Sequence, residues 1–238
     1  MNITALTDIG KHRKRNEDNV RAGKTDDLLY AVVADGMGGH KAGEVASLIA
    51  AQMIEEEILK INPEEDNIIN KIKGAYIDAN SKIYEYAEEN KKVLGMGTTA
   101  VLAIIIKEKL YVANVGDSRA YMISPKGIYQ VSKDHSYVQQ LIDSEVITKE
   151  QAMNHPKRNY ITRAMGTEEG IKVDVFVKDY NGETVLLCSD GLCGLVKDNE
   201  IAEIVKRNED FEIAAKELTE AANAKGGTDN ITVALLKS

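Results

Sequence analysis

The sequence is poor in the features that send a chain to a membrane, a nucleic acid or an oxidising compartment. Its longest apolar run, Thr98 to Ile106, falls far short of the roughly 20 residues that a bilayer demands. The opening MNITALTDIG has neither a basic region nor an apolar signal core, so the expectation is a cytoplasmic protein with no membrane partner. Basic residues are outnumbered, 30 Lys and Arg against 38 Asp and Glu, for a formal charge of -8. That balance, with no aromatic-basic surface stretch, argues against nucleic acid as partner or substrate. Cys188 and Cys193 are the only cysteines and have no histidines at zinc spacing; they read as reduced, buried thiols. No internal repeat, low-complexity tract or Pro/Gly/Ser linker divides the 238 residues. One domain over residues 1–238 with a full core is expected, acting as a monomer.

What the chain does have is aspartate at the ends of apolar runs. Leu28 to Ala34 breaks off at Asp35, followed by Gly36-Met37-Gly38-Gly39-His40. This is the pattern of a buried strand that delivers a carboxylate to its end and then gives way to a loop with little side-chain bulk. Taken alone, Asp35-Gly36 could equally be a turn between a strand and the next helix. The pattern recurs at Asp117, after Val112-Ala113-Asn114-Val115-Gly116, and at Asp190, after Val185-Leu186-Leu187-Cys188-Ser189, and Asp229 stands just before a last apolar run.

The rest of the chain supplies the frame. Asn2 to Thr7 alternates like a half-buried strand. Helical spacing runs through Ala42 to Leu59 (Val45, Leu48, Ile49, Met53, Ile54, Ile58) and through Ile68 to Glu89 (Ile69, Ile72, Ala75, Tyr76, Ala79, Ile83). Strands are expected at Thr98–Ile106, Leu110–Val115, Arg119–Ile123 and Ile128–Val131. The turns between them are short, so each neighbouring pair should be an antiparallel hairpin. After short helices at Tyr137–Ser144 and Thr148–Met153, another hairpin is expected from Val173–Val177 and Thr184–Cys188. Helices at Asn199–Arg207 and Phe211–Ala224 and a strand at Ile231–Leu236 follow. Runs of strands set against runs of helices indicate an α+β fold, a four-layer α-β-β-α sandwich with two antiparallel sheets flanked by helix pairs.

Aligned strands in such a sandwich can gather Asp35, Asp117, Asp190 and Asp229 at one edge. Four carboxylates together repel one another unless they are protonated or hold cations. Oxygen-only ligands beside glycine suit a pair of hard divalent ions, Mn2+ or Mg2+, better than zinc. Two such ions activate a water for attack on phosphorus, the two-metal route to phosphate-ester hydrolysis. Arg13 then gains a role beyond that of a solvated surface charge, because a guanidinium grips two phosphate oxygens at once.

Taken together, Gly10-Xaa-Xaa-Arg13-Xaa-Xaa-Asn16-Glu17-Asp18, Val33-Ala34-Asp35-Gly36-Met37-Gly38-Gly39, Gly97-Thr98-Thr99, Asn114-Val115-Gly116-Asp117-Ser118-Arg119, Asp134-His135-Ser136, Thr162-Arg163-Ala164-Met165-Gly166, Cys188-Ser189-Asp190-Gly191-Leu192 and Gly227-Thr228-Asp229-Asn230-Ile231-Thr232 resemble the metal-dependent, type 2C (PPM family) serine/threonine protein phosphatases in their compact bacterial form. The resemblance implies catalytic roles for Arg13, Asp35, Asp190 and Asp229, with Arg13 as the clamp that binds substrate phosphate. It implies metal binding by Asp35, the carbonyl of Gly36, Asp190 and Asp229, with Asp117 and Asp190 at a weaker third ion. Glu17 and Asp18 are expected to hold waters around the ions, and residues 136–166 to form a flap beside the cleft. The implied substrates are phosphoserine and phosphothreonine in proteins, and the implied partner is a cognate Hanks-type Ser/Thr kinase. Met37 departs from many eukaryotic members, which carry there a histidine proposed as general acid; His40 and a water on the third ion are the alternatives here. A binding module that had lost the chemistry should have lost metal acids, and this chain keeps them all.

Overall fold

The computed structural model describes residues 2–38, 42–64 and 66–238; Gly39 and His40 of the Asp35 motif lie outside them. In chain order the strands are β1 (Asn2–Asp8), β2 (Asp18–Lys24), β3 (Leu29–Met37), β4 (Gly97–Thr98), β5 (Ala100–Ile106), β6 (Lys109–Val115), β7 (Arg119–Ser124), β8 (Gly127–Gln130), β9 (Asp174–Asp179), β10 (Thr184–Cys188) and β11 (Ile231–Lys237). The α-helices are α1 (Ala42–Ile58), α2 (Ile68–Glu89), α3 (Tyr137–Asp143), α4 (Lys149–Met153), α5 (Asp190–Cys193), α6 (Asp198–Arg207) and α7 (Phe211–Ala224).

Two antiparallel sheets result, one ordered β1-β11-β10-β7-β8 and the other β2-β3-β5-β6-β9 with β4 against β3. Strand periodicity assigns their faces. Leu29, Ala31 and Val33 of β3 join Val101, Ala103, Leu187 and Ala234 in the core between the sheets. Tyr30, Val32 and Ala34 turn the other way, into a core shared with α1 and α2. Leu186, Val233 and Leu235 face α6 and α7 in a third core. The α-β-β-α layering expected from the sequence is therefore present.

The structure corrects several local expectations. The turn at Gly116-Asp117-Ser118 does not close a hairpin: β6 pairs with β5 and β9 in one sheet, whereas β7 pairs with β8 and β10 in the other. Likewise β9 and β10 belong to different sheets, so the segment joining them is a crossover between layers. The segment expected as one strand from Thr98 divides at Thr99 into β4 and β5. The edge strand β2 was not expected, because DNVRAGK shows little apolar alternation. Leu48 and Ile69, expected on buried helix faces, are 41% and 36% exposed. The buried stripe of α1 consists of Ala42, Ala46, Ala50 and Ala51 with Ile54 and Ile58, and small side chains there bring the helix close to the sheet.

Candidate active site

Each candidate acid is delivered by a strand end. Asp35 stands in β3 opposite Asp18 of β2, Asp117 lies in the turn from β6 to β7, Asp190 opens α5 directly after β10, and Asp229 precedes β11. Asp18 and Asp35 thus come from one sheet, Asp190 and Asp229 from the other, and Asp117 from the crossing between them.

Backbone geometry at this edge is tight. A Cβ on Gly36 would stand 2.2 Å from the Gly43 carbonyl oxygen of α1 and 2.6 Å from that of Glu17, so only glycine lets the helix start press on the strand end. The Glu17 carbonyl accepts from Gly36 N–H at 3.2 Å and from Ser47 Oγ at 2.5 Å. The Asp35 backbone is braced by two threonines. Its N–H donates to Thr99 Oγ1 at 3.0 Å, and its carbonyl accepts from Thr98 Oγ1 at 2.9 Å. Asp18 is buried and ties the sheets together, with its Oδ2 accepting from Ser189 Oγ at 2.8 Å and from Thr232 Oγ1 at 2.7 Å.

The electrostatics are those of uncompensated negative charge. Burial, then the charges of Asp18, Asp190, Asp117 and Asp229, hold the Asp35 carboxyl well above the usual range, although Asp35 is only half-buried. Burial followed by Asp190 and Asp134 does the same at Asp117. Asp190 is pushed up to about 6 by burial and then by Asp229. Asp18 is pushed up to about 7 by burial, against the pull of its two hydroxyl donors. Among the described residues, Oδ1 of Asp117 and Oδ1 of Asp190 are buried without a hydrogen-bond partner. Buried orphaned oxygens are costly, and hard cations would satisfy them. The residues present therefore fit a divalent metal site in charge and in donor type. Among the described residues no three His, Cys, Asp or Glu side chains already close around one point.

Arg13 reaches the same edge, but its Nη2 donates to Asp229 Oδ2 at 2.7 Å. Arg119 is taken by Asp134, to which its Nε and Nη2 donate at 3.0 and 2.7 Å. A cleft of about 440 Å³ adjoins Met37 and is lined by residues of the 161–172 stretch, among them Arg163, Thr167 and Lys172. A larger hollow of about 800 Å³ lies at the far ends of β7 and β11, beside Ile123, Pro125 and Phe211. Neither is lined by any of these acids.

The model of the family "Protein phosphatase 2C" matches residues 6–141. The chain belongs to the protein phosphatase 2C family. Members are metal-dependent phosphatases, and the resemblance noted above holds along the whole chain. It is 40% identical to the serine/threonine phosphatase stp of Listeria welshimeri, an alignment covering 100% of this chain and 96% of that protein. The structure of the serine/threonine phosphatase Stp1 from Staphylococcus aureus superposes with a TM-score of 0.94 at 38% identity, covering 99% of this chain and 94% of that one. The catalytic domain of the serine/threonine protein phosphatase PstP, solved in complex with two manganese ions, matches with a TM-score of 0.88 at 34% identity over 98% of this chain and 96% of that one.

Thr98, Thr99, Ser189, Asn230 and Thr232 stand in the motifs quoted above but had no role assigned to them, and their hydroxyl and amide groups set this phosphatase's acids in place. All are buried. Their signal was available, since each lies within three residues of an acid, or between two glycines and a strand core, where a polar side chain needs a reason to be buried.

Proposed function

We propose that this phosphatase hydrolyses phosphoserine and phosphothreonine in proteins through a binuclear Mn2+ or Mg2+ centre, opposing a Hanks-type Ser/Thr kinase. The observation that carries the reading is the seam of buried, mutually repelling carboxylates with two orphaned oxygens. Asp35, the Gly36 carbonyl, Asp190 and Asp229 would hold the tight pair, and Asp117 with Asp190 a weaker third ion. A bound pair supplies charge neutralisation and a water made acidic enough to attack phosphorus. Arg13 leaves Asp229 to fork onto two phosphate oxygens and fixes the group in line. Asp18 and Glu17 would orient solvent around the ions, whose positive charge offsets the aspartates that would otherwise repel the phosphate.

We place the active unit as a monomer. The pairing of β1 with β11 and the shared inter-sheet core support one phosphatase domain over residues 1–238. No helix among the described residues is long and apolar enough to cross a membrane, and two free thiols suit the reducing cytoplasm in which we place it.

With p-nitrophenyl phosphate and a phosphothreonine peptide, EDTA should abolish turnover and Mn2+ restore it. Asp35→Ala, Asp190→Ala and Asp229→Ala should each remove at least about 100-fold of kcat and weaken Mn2+ binding by calorimetry. Full turnover in chelator would rule the mechanism out.

A further inference from the structure

The chain enters and leaves the 136–166 segment through a knot of hydrogen bonds centred on His135. The backbone N–H of His135 donates to the Gly116 carbonyl at 2.8 Å, and its Nδ1 accepts the Gly116 N–H at 3.0 Å. One residue thus holds both polar backbone groups of the glycine preceding Asp117. The His135 carbonyl accepts from Thr162 N–H at 2.8 Å, on the returning side of the segment.

Because Nδ1 accepts, the proton of the neutral ring sits on Nε2. Asp174 Oδ2 stands 3.1 Å from that nitrogen. The other oxygen, Oδ1, accepts from Arg163 Nη1 at 3.1 Å, and the same Nη1 donates to the Lys172 carbonyl at 3.2 Å. Nη1 also lies 2.9 Å from His135 Nε2, so the two donors share Asp174 as their common acceptor.

Gly116 is wedged from its other side. Its φ is +106°, and a Cβ there would stand 2.5 Å from Cβ and Cγ2 of Thr99, whose Oγ1 receives the Asp35 N–H. The far end of the segment is fastened as well, since Met165 and Thr98 exchange both backbone hydrogen bonds, at 2.8 and 3.1 Å, and Thr98 Oγ1 donates to the Asp35 carbonyl. One end of the segment is therefore fixed to the turn bearing Asp117 and the other to the strand bearing Asp35, while residues 161–164 line the cleft.

We propose that His135 is a positioning residue that couples the 136–166 segment to Asp117, so that a phosphoprotein displacing the segment moves the Gly116–Asp117 turn through the imidazole and sets where the Asp117 carboxylate stands. This rests on the role for Asp117 given under the proposed function. It makes the segment a sensor of protein substrates, which small aryl phosphates would not engage.

The test combines hydrogen exchange with kinetics on the full chain in saturating Mn2+. His135→Ala should speed exchange by about 10-fold or more in residues 114–118 and 160–165 while β5 and β10 keep their protection. In His135→Asn the amide oxygen can take the place of Nδ1 but cannot reach Asp174; protection should return at 114–118 and stay low at 160–165. His135→Ala should lower kcat for a phosphothreonine peptide by about 10-fold and for p-nitrophenyl phosphate by less than about 3-fold, with KM little changed. Exchange at 114–118 like that of the unaltered chain, or loosening of all strands together, would overturn the proposal and leave His135 an ordinary core histidine. If His135→Ala does not fold, the His135→Asn pattern decides alone: split protection supports the coupling and uniform protection overturns it. Split exchange with an unchanged ratio between the two substrates would keep the coupling and refute the role given to Asp117.

Discussion

Arg13 and Asp229 hold each other at 2.7 Å, with 47% and 29% of their side-chain surfaces exposed. A pair so exposed is worth about 0.2–1 kcal/mol, little enough for a phosphate or an ion to break. Arg13→Ala should raise KM for a phosphopeptide by about 10-fold. It should also lower the Mn2+ concentration for half activation, by up to about 5-fold, since Asp229 loses a competing cation. A higher Mn2+ requirement would place Arg13 in the support of the metal site. Asp18 gives a pH prediction. Its pKa lies at about 7 in the folded chain against an ordinary 3.8, so between those values the folded state holds a proton that the unfolded state has released. Stability is then lost as pH rises through that window, and Asp190, at about 6, adds to the loss. In EDTA, the melting temperature should fall by on the order of 5 °C from pH 5 to pH 8, given about 2–4 °C per kcal/mol for a chain of this size. Mn2+ should remove the slope, and a rising melting temperature in EDTA would mean that these acids are ionised in the folded chain. At this scale the sequence was legible for the acids, because aspartate at the end of an apolar run is conspicuous. It was silent on Arg13 pairing with Asp229, which depends on a contact between residues 216 positions apart.

Elements were legible where a local period decides them: α2 and α7 occupy the residues expected, and α7 is capped by Asp210, whose side chain accepts from Glu212 N–H. The sheet to which a strand belongs is not a local property. Gly116-Asp117-Ser118 is as short as a hairpin turn, yet the pairing of β7 with β10 carries the chain across to the other layer. This places Asp117 where neither sheet alone could hold it. Two predictions belong here. A Cβ at Gly191 would stand 1.9 Å from the Asn230 carbonyl oxygen, so Gly191→Ala must push α5 away from the start of β11 and spread Asp190 from Asp229. We expect a destabilisation of about 1–3 kcal/mol and a loss of activity that excess Mn2+ does not restore; unchanged melting and turnover would contradict this packing. Within the 136–166 segment, Thr148 and Gln151 form a capping box at the start of α4. Thr148→Ala should weaken that helix by about 1 kcal/mol and speed proteolytic nicking near residue 150, while the global melting temperature moves little. Equal loss of both would mean that this segment and the sandwich unfold as one unit.

At the scale of the molecule, the layering was legible because amphipathic helices and alternating strands leave few ways to bury their faces. The registry of one sheet over the other was not, since it is set by packing among Val33, Val101, Leu187 and Ala234 in the core between them. That registry fixes the distance between Asp35 and Asp190. The crossing position of Asp117 and the reach of Asp18 from one sheet to Ser189 and Thr232 of the other have a mechanical consequence. Ions held at this edge would act as a rivet through two plates, and a rivet seats only after the plates have met. Bound metal should therefore slow unfolding far more than it speeds refolding, so that in stopped-flow experiments with Mn2+ only the unfolding limb shifts.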